Sequence, residues 1–192
     1  RLRMSKKKHP LFITRGVPGT HDIALLNQTI RKLKQKKFRT VLIPKFDKSK
    51  DDRYRKNKWQ KIKTKPDIII FEGWCVGTTH QNNNELKRPI NLIEKKYDEN
   101  LKWRKTVNNL IKKRYKNIFN KIDKLVFLKV PHFNYIIKWR WLQEQKMKLT
   151  TKSKKTMSKT EVKEFIMFYE RLTKHMIKNY SNNIKSIHTD DI

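Results

Sequence analysis

Apolar residues follow two rhythms along this chain. Short continuous runs at 38–43, 68–71 and 124–130 are rich in β-branched and aromatic residues, which is the composition and length of strands. The runs Ile68-Ile69-Ile70-Phe71 and Leu125-Val126-Phe127-Leu128 are apolar at every position, as strands covered on both faces require. Elsewhere apolar positions recur every three or four residues and predict helices. These are Ile23, Leu26, Ile30 and Leu33; Trp103, Val107, Leu110 and Tyr115 within a helical stretch over 90–119; Tyr135, Ile136, Trp139, Leu142 and Met147; and Val162, Phe165, Ile166, Tyr169, Leu172 and Met176.

Local punctuation fits these elements. Asp22 stands where an N-cap belongs, Pro44 and Pro131 end the first and third strands, and Ser158 with Glu161 forms a capping box ahead of the last helix. Residues 77–89, with Asn82-Asn83-Asn84 at their centre, read as an exposed loop or lid. Strands separated by helices imply right-handed crossovers and a three-layer α/β sandwich with a mostly parallel sheet. With no repeat and no Gly- or Ser-rich hinge, residues 1–192 are expected to form one domain.

Charge changes the picture of partners more than that of the fold. The chain carries 49 Lys and Arg against 17 Asp and Glu, a net charge of +32, which attracts phosphates of any kind. Five tryptophans could add stacking surface, so a nucleic-acid-binding module is the rival class. The lysines are spread through every segment, however, and no zinc-ligand spacing or basic zipper accompanies them. Nucleic acid is therefore expected to bind only nonspecifically, through net charge. The basic stretch 146–155 reads as a loop that either closes over phosphates or is simply solvated. One cysteine, Cys75, allows no intrachain disulfide and makes a reducing, cytoplasmic setting the default. No apolar run is long enough to cross a membrane, and the charged residues 1–8 do not read as a signal-peptide pattern.

The candidate chemistry lies in the turn Arg15-Gly16-Val17-Pro18-Gly19-Thr20-His21-Asp22 and in Glu72. The turn delivers a histidine and a carboxylate to the start of a helix, whose N–H groups favour an anion. Capping alone accounts for Asp22; it does not account for His21 beside it or Arg15 beyond the two glycines. Glu72 follows the second strand, and ligands in open α/β sheets collect at strand carboxyl ends. A carboxylate there either helps hold magnesium or caps and pairs structurally. In the charged stretch 45–57, Arg53 can grip a carboxylate or phosphate through two parallel bonds. Arg140, on the helix after Pro131, either neutralises phosphoryl oxygens or is solvated. Cys75 has no base partner and is expected to be buried.

These pieces occur in a fixed order. His9-Pro10-Leu11-Phe12, Thr14 to Asp22, Pro44-Lys45-Phe46-Asp47-Lys48-Ser49, Asp52-Arg53, Phe71-Glu72-Gly73-Trp74, Trp139-Arg140 and Gln143-Glu144 resemble the D-glycerate 3-kinase family. That family and its close relatives form a branch of the phosphate-loop kinases that includes uridine kinase and phosphoribulokinase. The resemblance covers residues 9 to about 176. No G-x-x-x-x-G-K-[ST] loop is present, so the chain reads as the C-terminal part of such a kinase, one P-loop NTPase-type domain lacking its first strand and phosphate loop. Within it a lid spans about 140–157 and a C-terminal helix about 158–178.

The resemblance implies an ATP-dependent kinase acting on a hydroxyl of D-glycerate or a similar small acceptor, with magnesium. Glu72 holds the metal, and Arg140 acts on the nucleotide phosphates or transition state. Arg15, Gly16, Gly19, Thr20, His21, Asp22 and Arg53 form the acceptor-binding set. The catalytic base lies upstream of Arg1, and the chain alone is expected to be inactive. The alternative is a noncatalytic basic module, derived from such a kinase, that binds nucleic acid or phosphate.

Overall fold

The computed structural model describes residues 9–47, 50, 52–150, 156–180 and 187–188. The chain divides into two compact units, one formed by the segment up to His21 together with Gly73 onward, the other by Asp22–Glu72.

In the Asp22–Glu72 unit, local chemistry starts the first helix, α1 (Ile23–Leu33). The Asp22 carboxylate accepts the Leu25 N–H at 3.1 Å and its backbone carbonyl accepts that of Leu26, a cap worth about 1 kcal/mol. The strands β1 (Val41–Ile43), β2 (Phe46–Asp47), β3 (Asp52–Arg53) and β4 (Gln60–Ile62) follow. Pro44 ends β1 as its missing N–H dictates. β1 pairs antiparallel with β4, with Val41 opposite Ile62, and β2 pairs antiparallel with β3, with Phe46 opposite Arg53.

In the other unit a 3-10 turn (Pro10–Ile13) leads to the glycine turn. Beyond Gly73 come α2 (Asn83–Lys87), α3 (Leu92–Tyr97) and α4 (Lys102–Leu110). A π-helical turn (Ile111–Tyr115) joins α4 to α5 (Lys116–Phe119), and the Lys116 N–H reaches back five residues to the Ile111 carbonyl. After β5 (Leu128–Lys129) come α6 (Phe133–Thr150), α7 (Lys159–Tyr180) and β6 (Ile187–His188), the last parallel to β5. Leu11, Phe12, Val17, Ile93, Trp103, Val107, Ile111 and Leu172 form the main core. A second cluster, Phe133, Val162 and Ile166 with Trp141 and Phe165, holds α6 against α7. Ser158 and Glu161 make the reciprocal capping bonds that start α7.

Several expectations need correction. Residues 68–71 are not a buried strand: they have no sheet partner among the described residues, and Ile68 and Ile70 are 79% and 85% exposed. A run of this kind becomes a buried strand only when neighbours supply its ladder and cover its faces. The stretch 124–130 is reduced to β5, with Val126 and Leu128 exposed. Of the three strand pairs described, two are antiparallel and one parallel, rather than one mostly parallel sheet. Residues 77–89 are not simply a loop, because an Asn82–Glu85 capping box starts α2 and buries Leu86. The basic stretch from 146 continues α6 as helix through Thr150, and 151–155 lie outside the described residues, as do 1–8, Lys48, Ser49, Asp51 and 181–186.

Within the larger unit, Glu94, Asp98, Arg104 and Arg171 are buried charged side chains that satisfy one another. Glu94, fully buried, accepts from Arg171 Nε and Nη2, each at 2.6 Å, and from the Ile90 N–H at 2.9 Å. Arg104 Nε donates to Asp98 at 2.8 Å, and Asp98 also accepts the Trp103 and Arg104 N–H groups at the start of α4. The arginines spend their other donors on carbonyls: Arg171 on Glu85 and Arg88, Arg104 on Leu86 and Asp98. Buried charge is tolerated only when paired and hydrogen-bonded in this way.

Candidate functional site

The glycine turn has a fixed backbone. Gly16 and Gly19 adopt φ values of +103° and +111°, which L side chains rarely adopt. At Gly19 an added Cβ would also meet Phe12 and Leu110 at 2.9 Å. Thr20 closes the turn: its hydroxyl oxygen accepts the Gly16 N–H at 3.0 Å and donates to the Val17 carbonyl at 2.8 Å.

Three aromatic side chains then grip this turn by their polar ends. Trp74 Nε1–H donates to the Gly16 carbonyl at 2.8 Å, and the Tyr169 hydroxyl donates to the Arg15 carbonyl at 2.9 Å. The Tyr115 hydroxyl accepts the Gly19 N–H at 3.0 Å and lies 2.8 Å from His21 Nδ1. Trp74 and Tyr169 meet edge to face with centroids 5.0 Å apart. The sequence reading placed Tyr115 and Tyr169 only in helical core stripes. The available signal was chemical, since a buried tyrosine needs a partner for its hydroxyl.

Thus the structure brings Arg15, Gly16, Gly19, Thr20 and His21 together in one turn. Burial holds the His21 pKa below its ordinary value of 6.5, so the ring is neutral at neutral pH. Burial likewise pushes the Tyr169 phenol up to about 12, against the opposing pull of the Arg15 and Arg140 charges.

Arg140 is half-buried on a helix, as its place after Pro131 predicts. It lies on α6, forms an ion pair with Glu144 one turn on, and places its guanidinium carbon 5.5 Å from the centroid of the Phe165 ring. Its Nη1 is buried without a hydrogen-bond partner among the described residues. Glu144 is buried and also accepts the Met157 N–H at 3.0 Å, which ties α6 to the approach of α7.

In the Asp22–Glu72 unit, Arg53 Nη1 donates to Asp22 Oδ2 at 3.2 Å. This pair is partly exposed and contributes little to stability, so an anion bound by Arg53 can exchange with that carboxylate at small cost. Glu72 is exposed, in irregular backbone before the turn in which the Val76 N–H bonds the Gly73 carbonyl. Among the described residues no three His, Cys, Asp or Glu side chains cluster as a metal cage. Holding magnesium by one carboxylate needs only an accessible oxygen, with water and substrate phosphates completing the octahedron, and Glu72 is accessible. Cys75 is buried and its thiol is pushed up to about 12 by desolvation, which makes it inert as a nucleophile.

Three histidines give the stability a definite acid dependence. His9, His21 and His175 all have pKa values lowered from 6.5, with burial the leading cause in each. Above about pH 6.5 both folded and unfolded chains leave these rings neutral; below it the unfolded chain binds protons that the folded chain refuses. Urea midpoints are therefore expected to be flat from about pH 8 to 7 and to fall from about pH 6.5 towards 5, less steeply in His21→Gln.

No family model matches the chain. It is 34% identical over 174 residues to the uncharacterized kinase mug58 of Schizosaccharomyces pombe, an alignment covering 88% of this chain and 61% of that protein. It is 27% identical over 173 residues to the chloroplastic D-glycerate 3-kinase of Arabidopsis thaliana, covering 85% of this chain and 35% of that protein. Among solved structures, D-glycerate 3-kinase from Cryptococcus neoformans var. grubii superposes with a TM-score of 0.71 at 26% identity, covering 92% of this chain and 64% of that one. The chain thus spans about three fifths of the length of the first of these relatives and a third of the second. The fold is accordingly of the α/β kinase type, although its described strands are short. No helix among the described residues is long and apolar enough to cross a membrane.

Proposed function

Because the chain belongs to the family of D-glycerate 3-kinase and its kinase relatives, we propose that it forms the C-terminal part of an ATP-dependent kinase acting on D-glycerate or a similar small acceptor. The acceptor hydroxyl attacks the γ-phosphorus, the bond to the β-phosphate oxygen breaks, and ADP leaves. The hydroxyl proton passes to a base outside this chain. The remaining strand of a three-layer sandwich and the phosphate loop are assigned to the same outside segment. The observation that carries this reading is the Arg15–His21 turn, locked by Trp74, Tyr115 and Tyr169 inside a chain that aligns with kinases over most of its length.

Roles follow residue by residue. The turn offers Arg15, the backbone of Gly16 and Gly19, the Thr20 hydroxyl and His21 for recognition of a small anionic acceptor. Asp22 and Arg53 supply a carboxylate and a guanidinium for the same ligand class, Arg53 exchanging its present partner for the acceptor's carboxylate. Arg140, planar and permanently charged, neutralises the phosphoryl oxygens. Glu72 contributes one oxygen to magnesium, which screens the phosphate charge when bound. The cytoplasm, where Cys75 stays reduced, is the assigned setting. Glu72→Gln in the complete kinase is expected to raise the magnesium concentration needed for half-maximal rate by about tenfold or more, the scale on which metal-site changes act. A magnesium dependence equal to wild type would remove Glu72 from the metal.

A further inference from the structure

Tyr115 is placed where a one-residue irregularity in a helix puts it. The π-helical turn Ile111–Tyr115 interrupts what would otherwise be one continuous helix from α4 to α5, and such turns are frequent at functional sites. It presents a buried phenol to the glycine turn, with its ring edge to face with His21 at a centroid distance of 5.9 Å. The phenol oxygen already accepts the Gly19 N–H, a group that can only donate. His21 Nδ1 lies 2.8 Å from the same oxygen, an ordinary distance for an O–H donating to a ring nitrogen.

We propose that Tyr115 is a positioning residue that donates its hydroxyl proton to His21 Nδ1 and so fixes the ring as the Nε2–H tautomer, making His21 a hydrogen-bond donor to an acceptor oxygen instead of a proton-abstracting base. A neutral imidazole has one donor and one acceptor nitrogen, and the partner of one nitrogen dictates the state of the other. With Nδ1 committed as acceptor, Nε2 carries the hydrogen, which suits a carboxylate, phosphate or hydroxyl oxygen and cannot receive a proton. The low basicity that burial gives His21 keeps the ring neutral and acts in the same direction. The ligand part of this inference rests on the reading that the turn binds the kinase acceptor; the tautomer does not.

The test is nitrogen NMR on the full 15N-labelled chain at neutral pH, with the His21 signals assigned by their loss in His21→Gln. The expected spectrum has Nδ1 as a bare ring nitrogen and Nε2 protonated in wild type, and a mixture of tautomers in Tyr115→Phe. A protonated Nδ1 in wild type overturns the proposal whether or not the variant folds, and so does an unchanged His21 pattern in a folded Tyr115→Phe. Titration with D-glycerate then separates the two readings. A shift of the Nε2–H resonance supports both, whereas the expected tautomer with no response to saturating D-glycerate contradicts the acceptor reading and leaves the positioning role of Tyr115 standing.

Discussion

Glu94→Ala is expected to lower folding stability by about 3–5 kcal/mol, the usual cost of stripping one partner from a buried ion pair. The carboxylate is fully buried, bidentate with Arg171, and 3.9 Å from Arg104 Nη1. Its removal leaves the Arg171 guanidinium without its counter-charge in a site water does not reach, and also frees the Ile90 N–H. Since domains of this size are stable by only about 5–15 kcal/mol, the variant loses a large share of its stability and should unfold at a clearly lower urea concentration. Glu94→Gln keeps the shape and two acceptor lone pairs but not the charge, so it should fall between wild type and alanine. Urea unfolding followed by tryptophan fluorescence measures both. A loss below about 1 kcal/mol for the alanine variant would mean that the network is decorative.

Arg140→Ala in the complete kinase is expected to lower kcat by about a thousandfold, the range seen when an arginine that neutralises phosphoryl oxygens is removed. The effect has to be separated from packing, because the same guanidinium pairs with buried Glu144 and stacks on Phe165. Two comparisons do this. Arg140→Lys keeps the charge beside Glu144 and loses the planar fork, so it should fold normally and still lose most of kcat. Arg140→Met with Glu144→Gln removes the pair without orphaning an acid, and should match Arg140→Ala in rate while unfolding at a higher urea concentration. Steady-state rates at saturating ATP and acceptor, beside melting curves, check both. Wild-type kcat in a folded Arg140→Lys would assign Arg140 to packing alone.

Which elements could be read from the sequence follows from where their chemistry sits. Helix starts at Asp22 and at Ser158 with Glu161 depend on contacts within four residues, and the structure has them. Strand pairing is nonlocal, so an apolar run such as 68–71 reveals its composition and not whether a neighbour will cover it. The exposed Ile68 and Ile70 are the result. Glu94, Asp98, Arg104 and Arg171 stayed hidden because hydropathy places charge at the surface, and only packed neighbours reveal that these four satisfy one another. At the candidate site the turn was visible as a glycine-spaced motif. Its clamps were not: Tyr115 and Tyr169 obey helical spacing as core residues do, and a π-helical turn leaves no signature in sequence.

The central claim is most directly tested by transfer of label from γ-32P-ATP to D-glycerate, catalysed by the complete kinase and by its Arg140→Lys variant. Labelled phosphoglycerate formed by the wild type, dependent on magnesium and nearly abolished in the variant, is the predicted result. Absence of any acceptor phosphorylation by a folded, ATP-binding wild type, across D-glycerate and related small hydroxy acids, would contradict it.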